Sequence, residues 1–447
     1  MRNLVLYLSS SKQAALKALA ITMLLSLLIF TLALAASGDL DPTFSGDGKL
    51  TTGFLGDLFE GVHDIAIQSD GKIVAVGSAH GPFNAETESV FSIARYNPNG
   101  TLDTTFSWDG RVVTDFGPMS DAFGVAIQGD GKVVLVGSNC AAGGTNCDLA
   151  LARYKPDGSL DPAFSGDGRV STDFGGGDNG SWGGITIQSN GKIVVSGYMH
   201  NGSDIDFALY RYNPNGSLDT TFHSDGMLNT GFGSGRDDYA RKMVLQPDGK
   251  IVVAGSTCYG GGWQNCNFTL ARYNSNGSLD TTFSVDGKQI TDFGGSDYAH
   301  SVVRQADGKI VAVGQIENAG NCSLALARYK VNGALDTTFH ADGKVTTTLP
   351  STDCAWYYFL GAAIQSNGKI VVAASVGPDG SHDFLLARYN SNGSLDTTLS
   401  GDGKLVTDFG ADDMADAIAI QSNGRIVLAG WSNLSGNYDF ALARYMP

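Results

Sequence analysis

From Val125 to Phe174 the chain reads VAIQGDGKVVLVGSNCAAGGTNCDLALARYKPDGSLDPAFSGDGRVSTDF. Val125-Ala-Ile-Gln is a short strand, and Gly129-Asp130-Gly131 makes a tight turn whose glycines tolerate positive φ. Lys132 to Gly137 is a continuous apolar run, the mark of a strand covered on both faces. A variable loop with two cysteines follows, then Leu149-Ala-Leu-Ala-Arg-Tyr as a third strand. Lys155-Pro-Asp-Gly is a turn with proline at its second position. Leu160-Asp-Pro-Ala-Phe and Gly166-Asp-Gly form a connector, and a fourth strand begins at Arg169. Nothing in the stretch has helical periodicity.

This unit of about sixty residues is written seven times. The Arg-Tyr pair recurs at Arg95, Arg153, Arg211, Arg272, Arg328, Arg388 and Arg444. The Leu-Asp pair recurs at Leu40, Leu102, Leu160, Leu218, Leu279, Leu335 and Leu395. Each Arg-Tyr is soon followed by a Leu-Asp except the last, and the missing segment stands at the other end, at Leu40 to Phe54. Four antiparallel strands repeated seven times predict an all-β, seven-bladed β-propeller, since one such sheet cannot cover both of its apolar faces. Calling the strands A to D, the last repeat has A, B and C but no D. Lys49 to Phe54 is expected to supply it and close the ring; an open array would need capping repeats, and none is visible.

The motifs Gln-x-Asp-Gly-Lys, Ala-Arg-Tyr and Leu-Asp-x-x-Phe resemble the delta-60 repeat family, from about Leu40 to Tyr445. The resemblance implies an exported repeat protein and carries no reaction with it.

Residues 1–36 differ from the rest. Arg2, Lys12 and Lys17 precede an apolar run from Ala18 to Ala36 ending in Ala-Leu-Ala-Ala, which reads as a signal peptide. The run of about 19 residues approaches membrane-spanning length, so an uncleaved anchor is the alternative and the only route to a membrane. Residues 37–447 are then one propeller domain. The chain carries 29 basic and 45 acidic residues, a net charge of −16 that becomes −19 without the three leader cations. That field repels a phosphate backbone and speaks against nucleic acid as a partner.

Strand order puts the A–B turns and C–D connectors on a lower face that is nearly identical in every repeat. The B–C loops and D–A connections form an upper face that varies, and a specific site is expected there. All six cysteines fall upward, and an even count in an exported chain reads as disulfides. The expected pairs are Cys140–Cys147, Cys258–Cys266 and Cys322–Cys354. Upper-face aromatics are the candidate ligand-binding residues: Trp182, Tyr239, Trp263, Tyr298, Trp356 and Trp431. They either stack on a sugar or anchor a protein, or else cover the ends of the blade cores. Asp121, Asp238, Asp297 and Asp412 are weak metal candidates. Calcium is the ion that would suit them, but no Asp-x-Asp-x-Asp-Gly loop occurs and turn carboxylates are the plainer reading. No other cofactor is called for.

The Arg-Tyr and Leu-Asp pairs read as scaffold: a partly buried guanidinium needs a carboxylate, and Arg153 with Asp161 or Arg272 with Asp280 supplies one. His63 and His300 sit near equivalent D–A exits, where they would face the mouth of the ring. No metal-binding His spacing, nucleophile elbow, phosphate loop or dinucleotide fingerprint appears. The sequence therefore reads as an exported binding module for carbohydrate or an extracellular protein, without catalytic residues. A structural role in a surface assembly is the alternative, and a polysaccharide hydrolase or lyase the third reading; fold does not choose among them.

Overall fold

The computed structural model describes residues 37–54, 59–80, 89–173, 183–260, 264–318, 320–349, 360–434 and 436–447. They are built from β-strands joined by turns, with no helix among the described residues. In the second blade A is Met119–Ile127, B Val133–Ala141, C Thr145–Tyr154 and D Arg169–Thr172. The order A-B-C-D, antiparallel throughout, repeats around the molecule. The first two blades touch through one parallel bridge, Ser89 to Met119.

The offset of the repeats has the expected outcome. Lys49–Thr52 pairs antiparallel with Asp439–Tyr445, in the register Lys49 to Ala443 through Thr52 to Phe440, and so supplies the last blade's D strand. Among the described residues seven apolar clusters lie between successive blades. The one that includes Phe44, Val62, Ile73, Val427 and Leu442 packs the first blade against the last.

The Arg-Tyr pairs brace neighbouring blades in both directions. Arg153 Nε donates to Asp161 Oδ2 at 2.9 Å, while its Nη1 reaches the carbonyl of Pro214 in the following blade. Tyr154 Oη donates to Thr114 Oγ1 of the preceding blade at 2.7 Å. Arg272 repeats the pattern with Asp280 at 2.7 Å and the Val331 carbonyl at 2.5 Å. Arg444 carries it across the closure, to Asp41 at 2.8 Å and to the Pro98 carbonyl. Six of the seven guanidinium groups lie over a phenylalanine ring, as Arg153 does over Phe164 at 4.7 Å, while the repeat of Arg388 carries Leu399 at that position, so charge, hydrogen bonds and π contact coincide in those six.

One glycine column in strand B is fixed by close approach of the backbone. In the second blade a Cβ on Gly137 would stand 1.9 Å from the Asp121 carbonyl oxygen. Gly77, Gly255, Gly314 and Gly430 meet the same obstruction. At this level strand A carries a β-bulge, and its backbone presses against strand B where only hydrogen fits.

Candidate functional site

Strand A is the innermost of each blade, and its bulge places one extra residue at the inner wall. The register shifts fall between Val62 and Asp64, Ala122 and Gly124, Ala240 and Met243, Ala299 and Ser301, and Ala415 and Ala417. The residues at or within these shifts include His63, Phe123, Arg241, Lys242, His300 and Asp416. An otherwise repeated strand thus changes chemistry from blade to blade at one level. His63 Nδ1 lies 3.6 Å from Asp416 Oδ2 and its ring stacks on Phe123 at 5.1 Å. Lys242, in the fourth blade, crosses the centre to Asp64 of the first at 2.9 Å and also donates to the Phe123 carbonyl at 3.3 Å. Burial pushes the Asp416 carboxyl up, against the opposing pull of His63 and Lys242.

A pocket of about 390 Å³ opens on the upper face where the sixth, seventh and first blades meet. Its wall is three rings in mutual contact: Phe59 to Tyr438 at 5.1 Å, Trp431 to Tyr438 at 4.9 Å and Phe59 to Trp431 at 6.0 Å. Phe59 and Tyr438 are held together by a parallel bridge, with Glu60 N donating to the Tyr438 carbonyl at 2.8 Å. Its polar border is Asp379, Asp412 and His382, and Met414 and Gly380 complete the lining. Asp412 Oδ1 accepts both the His382 backbone N–H at 2.8 Å and Nδ1 at 2.9 Å. The imidazole is 1 % exposed, and its Nε2 has no hydrogen-bond partner. In the neutral tautomer that donates from Nδ1, Nε2 carries a lone pair and is an acceptor for an incoming donor.

Of the aromatic candidates, Trp431 lines this pocket. Tyr239 and Tyr298 are buried in a cluster with Tyr198 and the sulfurs of Cys258 and Cys266, an arrangement that covers the end of a blade core. Trp182, Trp263 and Trp356 lie outside the described residues. Two of the expected disulfides form, Cys140–Cys147 and Cys258–Cys266. Cys322 is also disulfide-bonded, and its expected partner Cys354 lies outside the described residues.

Among the metal candidates, Asp412 orients His382. Asp238 Oδ2 accepts the Phe232 N–H at 2.7 Å and Asp297 Oδ2 the Phe293 N–H at 2.6 Å. Glu60 and Asp413 make the same contact with Phe54 and Phe409, so an acid near the start of strand A pins the preceding D–A connection. Burial pushes Asp238 and Asp297 up to about 6. Asp121 is half-buried at the start of its strand. Among the described residues the carboxylates that converge are Asp383, Asp408 and Asp413, with oxygens within 4.8 Å of one another. Burial first, then mutual repulsion, raises Asp383 and Asp413. Hard cations favour such oxygen sets, and these are the residues that could hold one.

The missed site residues are Phe59, Tyr438 and His382 in the pocket and Arg241, Lys242 and Asp416 in the channel. Aligning the repeats by column would have exposed the channel set, because residues 63, 123, 241, 300 and 416 differ while the preceding column, Val62, Ala122, Ala240, Ala299 and Ala415, stays small and apolar.

Repeat count, blade order and closure together define a seven-bladed repeat β-propeller. The chain belongs to the family described as domain of unknown function (DUF5122) beta-propeller, matched at residues 68–106, 128–164, 188–222, 246–283, 305–339, 365–399 and 421–447. No curated protein matches it. Among solved structures it is similar to a protein of unknown function from Dyadobacter fermentans, at 10% identity and TM-score 0.47, covering 89% of this chain and 99% of that one. The NanB sialidase of Streptococcus pneumoniae is similar at 11% identity and TM-score 0.43, covering 89% and 70%. An α-L-arabinofuranosidase of Fusarium graminearum is similar at 9% identity and TM-score 0.43, covering 72% and 91%. Likenesses at this level carry no argument about chemistry.

Proposed function

We propose that this protein is an exported binding module that takes a carbohydrate ligand in the upper-face pocket between its sixth, seventh and first blades. The observation that carries the reading is the wall of Phe59, Trp431 and Tyr438 beside the acceptors Asp379, Asp412 and His382. Sugar rings pair an apolar face with hydroxyl donors, and a pocket of about 390 Å³ has the size of a small-molecule site. Export is supported by the leader-like residues 1–36 and by the two disulfides. The test is titration of the protein with a polysaccharide panel, comparing wild type with Tyr438→Ala. Saturable binding weakened at least about tenfold, or about 1.4 kcal/mol, by the substitution supports the module. Absence of binding across the panel moves the conclusion to a structural surface role.

A second reading, a polysaccharide hydrolase or lyase, is favoured by one observation: His63 and Asp416 meet 3.6 Å apart in the channel. An imidazole beside a carboxylate is a pair suited to general acid–base chemistry. Turnover of any glycan in the panel, abolished by Asp416→Asn, would establish the enzyme.

A further inference from the structure

The pocket's polar border selects among ligands, and this inference rests on the carbohydrate reading of that pocket. The Leu-Asp carboxylates of the lower face are answered by cations throughout. Asp103 faces Lys72 and Arg95, Asp219 faces Lys192 and Arg211, and Asp280 faces Lys250 and Arg272. The pocket breaks that rule. Among the described residues no lysine or arginine lines it, although the carboxylates of Asp379 and Asp412 do. The lone pair of His382 Nε2, buried and without a partner, adds a third acceptor. The ring faces of Phe59, Trp431 and Tyr438 contribute the negative side of their quadrupoles.

Acceptors, carboxylates and π faces without a basic side chain describe a site for a cation with N–H donors. A net charge of −16 over the chain draws such a ligand in and discourages an anionic one. We infer that the pocket binds a protonated amine, and that its ligand is an amino sugar rather than a neutral or acidic one. The ammonium lies against the rings between Asp379 and Asp412 and donates a hydrogen bond to His382 Nε2, while the apolar face of the sugar covers the aromatic wall. An N-acetyl group removes the charge and puts an amide where the ammonium belongs. Burying that amide leaves a carboxylate and a lone pair poorly answered.

The experiment titrates the full chain with a glucosamine tetrasaccharide, its fully N-acetylated counterpart, cellotetraose and choline, following heat and tryptophan fluorescence at neutral pH. The expected result is binding of the glucosamine oligomer at least about tenfold tighter than either neutral oligomer. High salt should narrow the gap, as should Asp379→Asn, a substitution on an exposed loop that leaves the core untouched. Equal binding of all three oligomers, weakened in Tyr438→Ala, overturns the amine inference and leaves the carbohydrate reading standing. Choline binding without any sugar binding upholds the cation and overturns the sugar. No binding by any of the four overturns both.

Discussion

Asp280→Asn isolates one rung of the Arg–Asp ladder. Asp280 Oδ2 faces Arg272 Nε at 2.7 Å and Lys250 Nζ at 2.9 Å, and its Oδ1 accepts from Thr282 Oγ1 at 2.7 Å. Both Arg272 and Asp280 are 4 % exposed. The amide keeps the volume and one acceptor oxygen but removes the charge. Arg272 cannot turn to water, because its guanidinium is also tied to the Val331 carbonyl and lies over Phe283 at 4.7 Å. Stranding a buried charge costs about 3–5 kcal/mol, whereas replacing both partners with apolar groups costs much less. Asp280→Asn should therefore lower stability by about 3–5 kcal/mol, and Asp280→Leu with Arg272→Met by less than the single substitution.

Urea unfolding followed by circular dichroism measures both. The pH dependence supplies an independent sign. Burial pulls the Asp280 carboxyl up, but hydrogen bonds from Thr282 and Lys250 and the charge of Arg272 outweigh it and hold it well below the usual carboxylate range. A depressed group stabilises the fold above its unfolded value and loses that contribution as pH falls toward its folded value. The gap between wild type and Asp280→Asn should be widest near neutrality and shrink on acidification below about pH 4. A single substitution within about 1 kcal/mol of wild type at pH 7, the size of an exposed pair, would refute the buried ladder as a brace.

Asp238 and Asp297 predict the opposite slope. With folded values pushed up to about 6, they bind more protons in the folded chain across roughly pH 4 to 6. Their contribution falls as pH rises through that window, so Asp238→Asn should flatten the wild-type decline in melting temperature between those limits. Cys258→Ser with Cys266→Ser opens a loop of sequence separation 8 and should cost about 2–3 kcal/mol. A melting temperature equal to that of wild type would contradict it.

What the sequence makes legible is what it repeats. Strand order, the two faces, closure by the first strand and the pairing of Arg153 with Asp161 follow from motifs that recur at a fixed spacing, and each stands in the structure. The cysteine pairs 140–147 and 258–266 are legible because each closes one B–C loop. The pocket is not, apart from Trp431 and Asp412. Phe59 leaves a D–A connection of the first blade, His382 a B–C loop of the sixth and Tyr438 a B–C loop of the seventh. No periodicity links them, and only folding brings residue 59 against residue 438. The channel residues are hidden for another reason. A β-bulge is a property of register, one extra residue on one strand, and it shows only when the partner strand is known. His63 and His300 stand out in the sequence as facing the mouth, but Arg241 and Asp416, which occupy the same kind of position, do not.

The pocket lies across the junction where the chain closes on itself. Phe59 belongs to the first blade, Trp431 and Tyr438 to the last, and the bridge between Phe59 and Tyr438 adjoins the contact of Glu60 with the Tyr438 carbonyl. Beneath it, Phe54 packs on Phe440 at 4.7 Å beside the pairing of Lys49–Thr52 with the last C strand. A ring of repeats is open to separation where its bonds join chain ends that sequence does not connect. A ligand held by residues from both sides of that junction binds the closed ring and not the opened one, so it stabilises closure by RT ln(1 + L/Kd) at free ligand concentration L. Site and scaffold are thus coupled at one place. The seven-fold repetition supplies a rigid frame, and the junction that breaks the repetition is where three aromatic rings and a set of acceptors are brought together.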